Sequence, residues 1–533
     1  MSRSRAAREQ ADSDPGPPTD VDAEVEVGPL PEGEAGRRHV RGSALLVLGR
    51  VLALVIGMAT AVILVRALSK SEYGAFEYAL TLAGAGRILL SLGQGRLLSR
   101  FMAGYEEEGD HPRMFGAMFL AVGTIFATSI PVIAALYIWS DELLGPVVEG
   151  ETAVRLVLVL VLVAPMEALD QVFVSLFAVF SKPRAIFVRK HLMAPGLRFL
   201  VVLVLWLTGQ SVMFLAVGYL VASLAGLLLY VGLLGRLLHE RGLWHEFDPR
   251  TVVLPFRAVF AFSFPLITGE LALLSMKVGG VMVLALYHPV TEIADYRAVF
   301  GVARLNTAVT TSFATLFLPV IARLHARRRI DEVRDSYWHT ATFVAVSTFP
   351  IFALTGPLAP ATTVALFGSR YADSAPVLAI LAVGYYLNVM FGFNVYTLQV
   401  CGRIRLLVVV NLFMASLNIG LCFALAERLG AVGIALANCA ALISQNLINQ
   451  WALRGAIRTG LVPRECWGCY ALVAGGAALL WVFEVTFTPG ILSSLLAAVL
   501  VSTVVLVGSQ RALRLADTFP ELRRIPILGR YVR

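Results

Sequence analysis

Glu270 and Lys277 stand seven residues apart, as do Arg297 and Arg304, and both pairs are set in apolar sequence. Seven residues is two helical turns, so each pair shares a helix face with about 10 Å between its members. A charge at the centre of a bilayer costs about 2.5 to 3.5 kcal/mol on insertion scales, and such groups normally face a bundle interior or a wet cavity. With Arg87 they give four deep cations, Arg87, Lys277, Arg297 and Arg304, suited to holding a diphosphate. Arginine offers a bidentate donor fork and lysine a point charge. The same residues admit a static arrangement, in which Glu270 bridges Arg87 or Arg304 between helices while Arg297 and Glu77 reach toward the outer interface. Arg50, about two turns from its helix end, reads as an anchor at the cytoplasmic surface.

A second constellation is built on carboxylates. Pro165-Met-Glu-Ala-Leu-Asp-Gln places Glu167 and Asp170 three residues apart, on one helix face of an apolar run. Burial and mutual repulsion favour protonation of one of such a pair, so Glu167 and Asp170, with Glu270, are candidates for proton or sodium coupling. Asn388, 221 residues beyond Glu167, keeps oxygen-ligand character without the charge and joins that set. The plainer reading is a hydrogen-bonded kink below Pro165. Tyr385, Asn388, Tyr396 and Gln399 make a polar aromatic stripe that either stacks on sugar rings or packs. Phosphate-binding glycine loops, paired zinc motifs and nucleophile elbows are absent. Cys466-Trp-Gly-Cys469 has ligand-like spacing but no partner pair or neighbouring His. No catalytic residue, metal or cofactor is therefore expected, and no nucleic acid as a partner.

Such charges need membrane-spanning helices to hold them. Of 533 residues 58% are hydrophobic and 15% charged, with a mean hydropathy of +0.76, where soluble domains carry roughly 25% charged residues. Apolar runs fall near 43–65, 74–97, 113–138, 153–179, 185–207, 211–235, 256–286, 292–320, 338–360, 374–399, 406–427, 431–453, 465–485 and 490–509. Fourteen helices are predicted, each long enough to cross. With the amino terminus in the cytoplasm, the inward loops hold 21 basic residues, among them Arg189 and Lys190, against four or five outside. The positive-inside rule is obeyed loop by loop and puts both termini in the cytoplasm. Residues 1–42, with six Arg against nine acids and no apolar h-region, read as a disordered cytoplasmic tail, and 510–533 as a basic one.

A shift of about 220 residues lays the second six spans over the first six. The predicted fold is an all-α polytopic membrane protein: a six-helix bundle at 43–235, a cytoplasmic linker at 236–255, a second bundle at 256–455, and two further helices within 456–509. Both copies begin and end on the cytoplasmic side, so the repeats are parallel, with an axis along the membrane normal and a cavity expected between them. Arg66-Ala-Leu-Ser-Lys-Ser-Glu-Tyr-Gly-Ala-Phe, Leu366-Phe-Gly-Ser-Arg-Tyr-Ala-Asp-Ser-Ala, Cys401-Gly-Arg-Ile-Arg and Leu429-Gly-Ala-Val-Gly-Ile-Ala-Leu-Ala follow in order. In these segments the chain resembles the polysaccharide-transport, Wzx-like flippases of lipid-linked oligosaccharides, relatives of the lipid II flippases and of MATE exporters. It departs from the pattern at Ser181-Lys-Pro-Arg, where a Gly-Arg turn would mirror Gly402-Arg403.

The resemblance implies that spans 1, 2, 7 and 8 line a central cavity, which they supply with Arg50, Glu77, Arg87, Glu270, Lys277, Asp295, Arg297 and Arg304. It also implies a function: movement of a polyprenyl-pyrophosphate-linked oligosaccharide from the cytoplasmic to the outer leaflet of a bacterial membrane. The partners are then that substrate, membrane lipids, and a polysaccharide polymerase and glycosyltransferases. A MATE-type cation exporter would instead present carboxylates and aromatics. A membrane glycosyltransferase would need an extracytoplasmic catalytic loop longer than the stretch near 361–373. The topology carries its own test. Single cysteines near positions 145 and 288 should label from outside, and those near 107, 245 and 328 only after permeabilisation; one reversed loop breaks the fourteen-span scheme.

Overall fold

The computed structural model describes residues 34–145, 150–180, 186–244, 247–256 and 274–513. Met1–Arg41 and Gly42–Arg533 are separate units, and the site lies in the second. Among the described residues there is no strand, and each of the fourteen apolar runs falls on helix. Without water to bond to, the backbone of a spanning segment must satisfy its polar groups internally, and a helix does this. The first half comprises α1 (Glu34–Ala67), α2 (Lys70–Ser91), α3 (Gln94–Glu108), α4 (His111–Ile138), α5 (Ser140–Leu144), α6 (Glu151–Val161) and α7 (Val163–Val179). A π-helical stretch, Phe187–Met193, then runs into α8 (Ala194–Thr208), and α9 (Val212–Glu240) follows.

In the second half a π-helical stretch, Ser275–Gly279, leads into α10 (Gly280–Tyr287). After it come α11 (Val290–Ala303), α12 (Leu305–Ala326), α13 (Ile330–Thr355), α14 (Ala359–Phe367), α15 (Ala375–Met390), α16 (Asn394–Val400) and α17 (Ile404–Ile457), and then α18 (Arg464–Phe487) and α19 (Ile491–Leu513). α17 joins two spans across Gly430, whose φ of 52° and ψ of −132° interrupt the helix. A Cβ there would lie 2.7 Å from Glu292 Oε2, and the Ala431 N–H donates to that same oxygen at 3.0 Å. Glutamate thus caps the amino end of the second arm, where the helix dipole favours negative charge.

The chain is a multi-pass membrane protein. Nine described helices are long and apolar enough to cross a bilayer, and eleven if each of two bent pairs counts as one span. α2 is not among them; it carries Glu77 and Arg87. Two contacts where α2 meets α11 fall at a separation of 220 residues. A Cβ on Gly74 would lie 3.4 Å from the Cβ of Ala294, and Arg297 Nε donates to Glu77 Oε2 at 2.9 Å. Both contacts join residues 220 apart, the spacing at which the sequence lays one set of spans over the other.

The apolar cores are distributed unevenly. One cluster unites both halves, around Leu64, Val65, Phe76, Leu284, Val299 and Tyr371. Another is confined to the first half, and two more to residues 314–505. The halves therefore share an apolar core at the end of α1 near Val65. Toward Arg50 the same helix is largely exposed.

Two local expectations are corrected. Arg189 and Lys190, counted with an inward loop although they fall inside the apolar run 185–207, lie on helix, in the π-helical stretch Phe187–Met193. The stripe of Tyr385, Asn388, Tyr396 and Gln399 is broken at Phe391–Phe393, with its first pair on α15 and its second on α16.

Candidate functional site

α7 sets Glu167 and Asp170 one turn apart, and three other elements bring cations to them. Arg198 Nη2, from α8, donates to Glu167 Oε1 at 2.5 Å, and Arg87 Nε, from α2, stands 3.5 Å from Glu167 Oε2. Arg189, from the π-helical stretch, pairs with Asp170. Each guanidinium is oriented by its surroundings: Arg189 lies 5.6 Å from the ring centroid of Tyr230 and Arg198 5.3 Å from that of Tyr219. A Cβ at Gly226 would overlap the Arg189 guanidinium, so glycine there makes its seat.

Arg87, Glu167, Asp170, Arg189, Arg198 and Tyr230 wall a cavity of about 240 Å³ together with Lys190. Lys190 and Arg198 also face a neighbouring cavity of about 360 Å³ beside Glu77 and Tyr219. Among the described residues no carboxylate lies within ion-pair distance of the exposed Lys190, which has Arg50 and Arg87 within electrostatic reach. A π-helical turn at a functional position is a recurrent device; here it buries Arg189 and leaves the next residue facing the cavity.

Where the halves meet, the Glu77–Arg297 pair is largely enclosed, its side chains 14% and 19% exposed. It borders a cavity of about 200 Å³ with Tyr73, Phe300 and Phe367. Arg304 is the residue between α11 and α12, at φ −88° and ψ 0°, and is exposed. Its guanidinium lies 5.2 Å from the Phe300 centroid and 5.8 Å from that of Tyr385, and no carboxylate among the described residues pairs with it.

Of Lys277 only the backbone is described, in the second π-helical stretch, and Glu270 lies outside the described residues. Asn388 sits in the other half from Glu167, accepting a 2.9 Å hydrogen bond from Asn446, which also accepts one from Asn394. The structure thus brings Arg87 to Glu167, joins Arg297 to Glu77, and leaves Arg304 with aromatic neighbours. Asn388 belongs to a separate network of neutral amides. Sequence reasoning missed Arg198 and misplaced Arg189 and Lys190. The signal was present, since Arg198 is a charge in the middle of the apolar run 185–207.

At the end of α1 near Val65 a polar seal overlies the shared core. Lys70 Nζ lies 2.7 Å from Asp295 Oδ2, and Ser374 Oγ donates to Asp295 Oδ1 at 2.6 Å. Arg66 donates to the Leu366 carbonyl at 2.8 Å and to that of Ala365, while Arg370 donates back to the Val65 carbonyl. Each arginine thus caps the carboxyl-terminal carbonyls of a helix in the opposite half, where a cation is favoured.

The family model that matches is described as polysaccharide biosynthesis protein and covers residues 39–325, more than half of the chain. The chain belongs to that family. Among solved structures, the chain is similar to the lipid II flippase MurJ in an inward closed conformation. The TM-score is 0.68 at 14% identity, over 91% of this chain and 99% of that one. It is also similar to a multidrug resistance MATE family transporter in an inward-facing conformation, with a TM-score of 0.56 at 14% identity, over 78% of this chain and 99% of that one. A comparison with curated proteins gives no match. At these identities the likeness concerns the fold. The charged cluster thus lies in a helical fold shared with those two proteins.

Proposed function

We propose that the protein moves a polyprenyl-diphosphate-linked oligosaccharide from the cytoplasmic to the outer leaflet by alternating access. The observation that carries this reading is basic charge without a carboxylate partner among the described residues, at Lys190 on the cavity walls and at Arg304 against the rings of Phe300 and Tyr385. A diphosphate supplies the missing negative charge, and arginine forks bind its oxygens in pairs. Arg87, Arg297, Arg304 and Lys277 remain the proposed substrate contacts, with Lys190 added to them. Glu167, Asp170, Glu270 and Asn388 remain the proposed ion-coupling groups.

In this reading the seal around Lys70, Asp295 and Ser374 is the outer gate, closed here, and the cavities face the cytoplasm. Both termini are then cytoplasmic. The two bundles rock about the axis through Glu77 and Arg297, and the linker at 236–255 joins them on the inner side. The polymerase and glycosyltransferases that use the same lipid-linked sugar are the proposed partners. Export of organic cations is less well supported, because Glu77, Glu167 and Asp170 are all already engaged by arginine.

Deletion of the gene followed by a leaflet-resolved assay of the lipid-linked oligosaccharide tests the function. Accumulation on the cytoplasmic side, reversed by the intact gene, is expected. An unchanged distribution in a strain without a redundant transporter would sink the reading.

A further inference from the structure

Three carboxylates inside the bundle, Asp170, Glu77 and Glu167, differ in how they are held. Arg189 is 4% exposed where it meets Asp170, and Glu77 and Arg297 close on each other at 2.9 Å between the halves. Glu167 is different. Its side chain is 24% exposed, as open as Asp170 at 23%, but where the arginine of Asp170 is buried, Glu167 is shared between two arginines that are themselves 37% and 33% exposed, all three on the wall of the 240 Å³ cavity. The Arg87 contact is loose, since at 3.5 Å its buried Nε makes no hydrogen bond. Arg198 also reaches the adjoining 360 Å³ cavity, so it can be approached from a side that Glu167 does not cover. Two carboxylate oxygens set between two guanidinium forks occupy the donors that a pair of phosphate oxygens would use.

We propose that Glu167 is a resident stand-in for a diphosphate: it neutralises Arg87 and Arg198 in the empty protein and is displaced when a diphosphate enters the cavity. This rests on the transport reading above and adds a role for one carboxylate within it. Without a stand-in, two unpaired guanidinium groups would face a low-dielectric cavity each time the empty protein changes state, a costly arrangement. With one, the empty and the loaded forms carry the same kind of contact. Affinity is given up in exchange for an easier return. On α7 itself Asp170 is the neighbouring acid. From the elements packed around it, the charged and titratable groups that face the cluster are Arg87, Arg189, Lys190, Arg198 and Tyr230.

The test is binding of farnesyl diphosphate and of inorganic pyrophosphate, side by side, to the purified full-length protein in detergent. Glu167→Gln removes the competing charge and is expected to bind about tenfold tighter, the worth of one displaced charge-assisted contact. Glu167→Asp, charged but shorter in reach, is expected to fall between the two, and Arg198→Gln to bind weaker than the native protein. A carboxylate that merely braces the helices predicts the opposite sign, with Glu167→Gln equal or weaker. A gain with both probes, or with farnesyl diphosphate alone, supports the proposal for a lipid-linked diphosphate. A gain confined to inorganic pyrophosphate, or none with either, overturns it. Should Glu167→Gln fail to fold, the Glu167→Asp comparison decides by the same rule. If the native protein binds neither probe, the transport reading itself falls and takes this inference with it; if it binds and no gain appears, only the inference falls.

Discussion

Gly74→Val is expected to abolish transport, with a loss well beyond tenfold, while the protein still reaches the membrane. A Cβ at residue 74 would stand 1.9 Å from the Val290 carbonyl oxygen and 2.7 Å from its carbon, both backbone atoms of α11. No rotamer change relieves such an overlap, so the α2–α11 crossing must widen. Overpacking inside a core ordinarily costs about 1 to 3 kcal/mol. In the proposed alternating-access reading the strain falls on the crossing beside the proposed outer gate, so it acts on the balance between closed and open states. Val65, fully buried in the sealed end, reports on that balance as a cysteine. It should resist a membrane-impermeant maleimide in the parent protein and react once Gly74→Val is added. Gly84→Val is the matched control on the same helix, because a Cβ at Gly84 meets nothing within 4 Å. Native transport and native protection of Val65→Cys in the Gly74→Val protein would show that this crossing is no gate.

Arg304→Gln is expected to lower apparent affinity for the lipid-linked substrate roughly ten- to hundredfold at unchanged abundance. A charge-assisted hydrogen bond contributes about 1.5 to 3 kcal/mol, and each 1.4 kcal/mol is about a factor of ten. Arg304 is the cation for which this effect should be cleanest. It is exposed, it sits at a break between helices, and its described neighbours are the rings of Phe300 and Tyr385. Loss of those ring contacts accounts for only about 0.5 to 1 kcal/mol at an exposed site, too little to mimic the loss of substrate. Arg304→Lys should recover part of the affinity, since the charge survives and the fork does not. If Arg304 instead serves a static bridge to Glu270, Arg304→Gln strands that carboxylate and abundance falls. The double change with Glu270→Gln then restores both abundance and transport. Transport lost at normal abundance and not regained in the double mutant assigns Arg304 to substrate.

Much of the architecture was legible in the amino-acid order, because the quantities that decide it are local. Hydropathy over about 20 residues places each span, and every predicted run falls on helix where it is described. The 220-residue spacing read from the sequence recurs in the contact of Glu77 with Arg297. The Gly430 turn was visible in Leu429-Gly-Ala-Val-Gly, although not the carboxylate of Glu292 that fills it. That charges inside spans would cluster around cavities followed from the cost of leaving them in lipid.

Which charge meets which did not follow from the sequence. Glu167 takes Arg198, 31 residues away, and Arg87, on a helix two spans earlier, while Arg297 takes a partner 220 residues distant. Those choices depend on helix rotation and crossing, set by side-chain packing at many contacts and by glycines such as Gly74 and Gly226 that admit a backbone or a guanidinium. The π-helical stretch at Phe187–Met193 shifts the angular phase of everything after it, turning a predicted loop lysine onto a cavity wall. Residue type and spacing thus determined that this chain is a helical membrane protein carrying charge within its apolar runs. Only the packed structure decided which of those charges are engaged by another side chain and which face the cavities, because ion pairing is a property of distances between helices and sequence periodicity measures positions along one.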